Sequence, residues 1–132
     1  MNNNFQGFSV LELIIVTVII GILAALGLAN FAGPKEQALE REAQANLKLI
    51  SSAEKIYRME LGGYINCTNI GTINSNLRLM IPTNGANWLY EVTGATNNVF
   101  SAVAQRTNGP HAGTMFCINE TLENATNVSC TW

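Results

Sequence analysis

With 132 residues, a net charge of -2 and 12% charged residues, the chain has room for one small domain beside a hydrophobic segment, and it lacks the basic footprint of a nucleic-acid-binding protein. All nine acids are glutamates, and Lys and Arg concentrate between Lys35 and Arg58. The remainder is rich in Asn, Thr, Gly and Ser, a composition of turns and solvated strand faces that suits an extracytoplasmic surface.

Met1 to Gly7 is polar and carries no side-chain charge. From Leu13 to Ala29 the only side chain that is not hydrocarbon is Thr17, leaving aside Gly21 and Gly27, and with its apolar flanks the segment reaches transmembrane length. Glu12 sits inside it. A carboxylate within a membrane helix costs about 2.5 to 3.5 kcal/mol on insertion scales, which marks Glu12 as a functional residue in need of a partner. The polar-to-apolar boundary, Gly7 to Phe8, precedes the hydrophobic segment, whereas an ordinary secretory signal is cut after it. Gly27-Leu28-Ala29 offers a weak conventional site, but the leader has no Lys or Arg and the apolar region carries Glu12.

The run Gly7-Phe8-Ser9-Val10-Leu11-Glu12-Leu13-Ile14-Ile15-Val16, followed by Ile19-Ile20-Gly21-Ile22-Leu23-Ala24-Ala25, closely resembles the N-terminus of type IV pilins and pseudopilins. The resemblance covers about the first 30 residues. It implies that a prepilin peptidase cuts after Gly7 and methylates the new amine of Phe8, and that Glu12 pairs with that amine on a neighbouring subunit. Elementary electrostatics agrees: cleavage creates an ammonium at Phe8, one helical turn from Glu12, so a subunit stepping axially past its neighbour brings opposite charges together in hydrocarbon. The leader departs from the family pattern in lacking a basic residue. Ala29 stands where many members have proline, and the first proline here is Pro34. Local melting on assembly is expected between Gly21 and Pro34, with Gly21, Gly27, Gly33 and Pro34 as the weak points, because glycine costs about 1 and proline about 3 kcal/mol in a helix interior.

Between Lys35 and Leu61 the residues Leu39, Ala43, Leu47, Ile50, Ala53, Tyr57 and Leu61 recur at helical spacing and form a stripe that needs a sheet to cover it. The opposite face carries Glu40, Arg41, Gln44, Lys48, Ser51, Lys55 and Arg58, with Glu54 and Arg58 placed for an ion pair. Gly62-Gly63 stops the helix. The pattern predicts one nearly continuous helix from Phe8 to Leu61, about 54 residues and about 80 Å long at 1.5 Å per residue. Tyr64 to Ala86 reads as a connecting region with a short extended piece at Leu77, Leu79 and Ile81. Strands are expected at Trp88 to Thr93, Val99 to Arg106 and Thr114 to Ile118, with a fourth at Val128 to Trp132.

The fold class is therefore α+β: a long N-terminal helix packed by its C-terminal half against a small antiparallel sheet, the arrangement that a type IV pilin resembles. Its parts are a leader at 1–7, a hydrophobic transmembrane or filament-core helix at 8–33, and a globular domain at 34–132. Three cysteines permit one disulfide. Cys117 and Cys130 are the preferred pair, closing a loop worth about 3 kcal/mol in the chain-entropy model, and that loop resembles the family's disulfide-bounded variable region. Cys67 pairing with Cys117 or with Cys130 remains open, and unpaired it reads as a small buried apolar residue.

No catalytic residue is identified. His111 lies alone in a Gly-Pro-His-Ala-Gly turn, and Glu120 with Glu123, spaced for one helix face, lacks the further oxygen ligands of a calcium loop. Neither metal nor cofactor is expected, and the chain is not expected to be an enzyme. The resemblance implies a structural subunit that polymerises through its N-terminal helix into an extracellular pilus. Its partners would be further copies of itself, the prepilin peptidase, the inner-membrane pilus assembly machinery and, before assembly, the inner membrane. The alternatives are a type II secretion pseudopilin forming a short periplasmic filament, and a membrane-tethered monomeric binding module.

Overall fold

The computed structural model describes residues 7–27, 32–83 and 87–127. Along it run α1 (Val10–Gly27), α2 (Ala32–Leu61), α3 (Ile70–Asn76) and the strands β1 (Trp88–Thr93), β2 (Ser101–Arg106) and β3 (Met115–Asn119). The chain separates into two units, Met1–Lys35 and Glu36–Trp132. Continuity of the helix across residues 28–31, the expected fourth strand at 128–132 and the leader at 1–6 lie outside the described residues.

In the first unit, α1 exposes its hydrocarbon side chains all round: Ile14, Ile15, Ile19, Ile22 and Leu23 are each more than half exposed. Its one hydroxyl inside the apolar run is satisfied locally, Thr17 Oγ1 donating to the Ile14 carbonyl at 2.9 Å. Gly21 stands in open space, where an added Cβ would meet nothing within 4 Å. Among the described residues, no helix is long and apolar enough to cross a membrane. The 18 residues of α1 rise about 27 Å, just short of a hydrocarbon core of about 30 Å. The expected transmembrane segment runs on through residues 28–31.

In the second unit the sheet is a three-stranded antiparallel meander in the order β1-β2-β3. Trp88 faces Arg106 and Val92 faces Ala102 across β1 and β2, while Ala104 faces Phe116 across β2 and β3. Alternation sends Trp88, Tyr90 and Val92, then Phe100, Ala102 and Ala104, then Phe116 and Ile118 into one core with Ala43, Leu47, Ile50 and Ala53 of α2. The helix stripe is thus buried over its middle, but Leu61 is exposed and Tyr57 and Leu39 are only partly covered. β2 begins at Ser101 rather than Val99 because the Phe100 N–H is taken by the Glu120 carboxylate at 3.2 Å. At the far end of the sheet Arg106 is buried, pairs with Glu36 at 3.3 Å and lies 5.5 Å from the Trp88 ring centroid.

Three sequence expectations are corrected. The Tyr64 to Ala86 region is not merely connecting chain: α3 lies within it, started by a reciprocal cap in which Thr72 N donates to Asn69 Oδ1 at 2.9 Å and Asn69 N donates to Thr72 Oγ1 at 3.2 Å. Ile73 and Leu77 carry α3 into the core. Leu77, Leu79 and Ile81 form no strand; the Asn74 side chain clamps Ile81 instead, donating to its carbonyl at 2.8 Å and accepting from its N–H at 3.0 Å. Second, Glu54 does not pair with Arg58. It is fully buried and accepts from Ile65 N at 3.1 Å, while Arg58 donates to Tyr64 Oη and Asn98 Oδ1. Ser51, expected on the solvated face, is buried beside it in sequence. Third, residues 119–127 form no helix that could align Glu120 and Glu123, because Asn119 Oδ1 accepts from Thr121 N and Leu122 N and turns the chain there.

Glu54 makes the fold pH-dependent. Burial pushes its carboxyl up to about 7, only partly offset by the Ile65 N–H, and its Oε1 has no hydrogen-bond partner among the described residues. A carboxyl that binds its proton more tightly when folded contributes stability that is complete below its unfolded value of 4.5 and is lost as pH rises through about 7. Glu54→Gln keeps an acceptor for Ile65 and removes the charge. Urea unfolding followed by Trp fluorescence should show the variant gaining on the wild type across that window, by up to about 3 kcal/mol. Parallel pH profiles for the two proteins would contradict the buried-carboxyl account.

Candidate functional site

The N-terminal turn of α1 is built by Ser9. Its Oγ accepts from Leu11 N at 3.3 Å and its carbonyl accepts from Leu13 N at 3.2 Å, so it caps a helix whose first turn contains Glu12. The sequence Ser9-Val10-Leu11-Glu12 carries the Ser-x-x-Glu signal for such a start, a cap absent from the sequence-based expectations. The positive end of the helix dipole favours a carboxylate here. Glu12 is exposed and its carboxylate has no hydrogen-bond or ion-pair partner among the described residues.

Gly7 and Phe8 precede the helix as irregular, exposed chain, with Phe8 81% exposed. An exposed Gly7-Phe8 bond outside regular structure is one that a processing enzyme could reach, and α1 begins just beyond it. The capped start therefore places the Gly7-Phe8 bond and the Glu12 carboxylate within about one turn of each other. Gly21 and Gly27 lie within α1, and Gly33 and Pro34 within the first turn of α2, where a missing N–H costs least. Their expected flexibility spans residues 28–31, outside the described residues.

The described residues of the second unit supply no comparable chemistry. An open groove of about 400 Å³ is lined by Lys55, Arg58, Met59, Tyr64 and Glu120, and the Glu120 carboxylate is already committed to Phe100 N. Among the described residues no group of three or more His, Cys, Asp or Glu stands together to hold a metal. His111 is exposed in its turn.

Cys67 is free and buried, bridged to β1 by Cys67 N to Val92 O at 3.0 Å and Val92 N to Cys67 O at 2.7 Å. Burial pushes its thiol up, so it behaves as a packing residue rather than a nucleophile. Cys117 exchanges backbone hydrogen bonds with Thr126, at 3.0 and 2.9 Å, which folds the end of the described chain back beside β3. Cys130, the other half of the expected disulfide, lies outside the described residues.

Comparison with known proteins bears on the N-terminal site first. Residues 2–28 match the family described as the prokaryotic N-terminal methylation motif. The type IV major pilin protein PilA of Myxococcus xanthus is 31% identical over 127 residues, 96% of this chain and 54% of that protein. Type II secretion system core protein G is 36% identical over 59 residues in Pectobacterium carotovorum, 45% of this chain and 38% of that protein. The same protein in Escherichia coli K12 is 36% identical over 55 residues, 42% of this chain and 38% of that protein. The chain thus spans about half the length of the pilin it matches and about two-fifths of these secretion proteins. No solved structure matches it significantly. The methylation motif beginning ahead of α1, the α+β fold behind it and the similarity to both groups of relatives identify the chain as a member of the type IV pilin and pseudopilin family.

Proposed function

We propose that the chain is a structural, non-enzymatic subunit that polymerises without covalent bonds into a type IV pilus. In this reading the prepilin peptidase cuts after Gly7 and methylates Phe8, and the inner membrane holds the subunit until the pilus assembly machinery withdraws it. The observation that carries the reading is α1 itself: hydrocarbon exposed on every face, with one unpartnered carboxylate in its capped first turn. Such a surface is stable only in lipid or against other apolar helices. Exchanging lipid for neighbouring copies keeps it dry throughout, and the methylated amine of Phe8 on a neighbour neutralises Glu12. Gly21, Gly27, Gly33 and Pro34 supply the compliance that this transfer needs. A disulfide between Cys117 and Cys130 closes the C-terminal loop, supported by the Thr126 bridge, which brings the chain beside Cys117 shortly before Cys130.

A second reading, a pseudopilin in a short periplasmic filament of a type II secretion system, is favoured by the similarity to core protein G. Electron microscopy of cells labelled with antibody to this chain separates the two, because long labelled surface filaments belong only to the first.

Glu12→Ala and Glu12→Gln are expected to insert normally and to lower filament yield at least about tenfold, since an amine left without its carboxylate in hydrocarbon forfeits several kcal/mol. Filaments at wild-type yield from Glu12→Ala, with normal subunit levels, would sink the pairing. Mass spectrometry of sheared filaments should find a methylated Phe8 at the N-terminus and a C-terminal peptide lighter by two hydrogens, with Cys117 and Cys130 joined. An intact Met1 would refute the processing step, and alkylated Cys117 without prior reduction would refute the disulfide.

A further inference from the structure

We propose that Asn108 is a site of spontaneous covalent modification: in the turn between β2 and β3 the backbone nitrogen of Gly109 attacks its side-chain amide, and the residue is converted to aspartate and isoaspartate. The reaction needs only water, and it does not depend on how the chain assembles.

Asparagine is thermolabile, and most so before glycine, which has no Cβ to shield its backbone nitrogen and bends freely enough to bring that nitrogen onto the neighbouring side chain. The sequence holds two such pairs, Asn84-Gly85, which lies outside the described residues, and Asn108-Gly109. In a folded chain the reaction is governed by how firmly the amide and the nitrogen are held. Most asparagine side chains of the second unit are held: Asn46 donates to Tyr90 Oη, Asn74 clamps Ile81, and Asn119 accepts from Thr121 N and Leu122 N. The Asn108 side chain has no hydrogen-bond partner among the described residues, and neither has the Gly109 N–H.

The hairpin fixes the chain on either side of this link and leaves the link itself loose. Thr107 N donates to Asn87 O at 3.1 Å, and Gly109 O accepts from Ala112 N at 3.1 Å, so the reacting groups stay close together without being locked apart. Both residues are exposed, and water reaches them. Glycine is also required at the second position. Gly109 takes φ +86, and a Cβ there would come within 3.2 Å of Arg106 Nη2.

The Gly109 nitrogen forms a bond to Asn108 Cγ, the Cγ–Nδ2 bond breaks, and ammonia leaves with the proton that the nitrogen gives up. Water then opens the cyclic imide. Opening at Cγ restores the original backbone with an aspartate side chain, and opening at the backbone carbonyl routes the chain through Cγ and lengthens it by a methylene. The net change is amide plus water to acid plus ammonia, with nothing oxidised or reduced. Either product adds a negative charge to a chain whose net charge is -2, on the turn that packs against the Arg106–Glu36 pair. The isoaspartyl product also inserts its methylene inside the loop that Gly113 N closes onto Arg106 O at 2.9 Å.

The test is to age the folded full-length chain, held in detergent micelles, in mildly alkaline heavy-oxygen water, then to digest it in ordinary water and map its peptides by mass spectrometry. Label taken up during ageing is then separated from any change during digestion. Asn124 is the internal comparison, since it is exposed as well but is followed by alanine. Asn108 should lose its amide and gain a heavy oxygen roughly tenfold faster than Asn124, and electron-based fragmentation should find isoaspartate beside aspartate, with Asn108→Asp as the reference for the aspartyl form. Conversion of Asn108 no faster than that of Asn124 would overturn the assignment. So would an Asn108 that stays intact in the folded chain and reacts only after unfolding in urea.

Discussion

Water is a poor solvent for α1, and the other features of the chain answer to that constraint. Fully burying one Leu, Ile or Val stabilises a protein by about 1.5 to 3 kcal/mol, and α1 presents a dozen such side chains with none buried. The segment cannot be left in water. The second unit, by contrast, closes a hydrophobic core from its own helices and three-stranded sheet. The division of labour is between a unit that needs an external apolar partner and a unit that does not.

The second unit achieves its core economically. Four α2 residues, the inner faces of three strands and the Ile73 to Ile81 segment fill it, with Tyr90 anchored by Asn46 Nδ2 at 2.9 Å so that its hydroxyl is not stranded. The C-terminal end of α2 is held differently. Gly62 takes φ +85, the left-handed conformation that ends a helix without strain, and its N–H returns to the Arg58 carbonyl at 2.8 Å. At Gly63 the chain runs close to Asn97: an added Cβ would approach its Oδ1 to 2.9 Å and push that side chain aside. Glu54 then reaches the chain just past this turn through Ile65 N. A buried acid at that corner trades some stability at neutral pH for a fixed path out of the helix.

Long periodic elements and strong punctuation were legible in the sequence, and short or polar devices were not. The three strands declare themselves by alternation, and the helix end by Gly62-Gly63. α3 does not, because seven residues of Ile-Gly-Thr-Ile-Asn-Ser-Asn are too few for a periodicity and too poor in helix formers for a propensity argument. It exists because Asn69 and Thr72 satisfy each other's backbone and Ile73 is pulled into the core. Glu54 was misread for the opposite reason. Its position, four after Ile50 and three before Tyr57, fits the buried stripe as well as Ala53 does, and only its charge suggested solvent. At the N-terminal site the motif residues were legible, while the Ser9 cap that places them was not read.

Apolar surfaces give association without direction, since hydrocarbon slides on hydrocarbon at little cost. A filament made only of helices like α1 could mix registers. Direction must come from groups whose energy changes steeply with position, and those are charges in or beside an apolar setting. The chain has one such group in the first turn of α1: Glu12, a single charge among hydrocarbon side chains, whose energy in an apolar setting would change steeply with axial displacement.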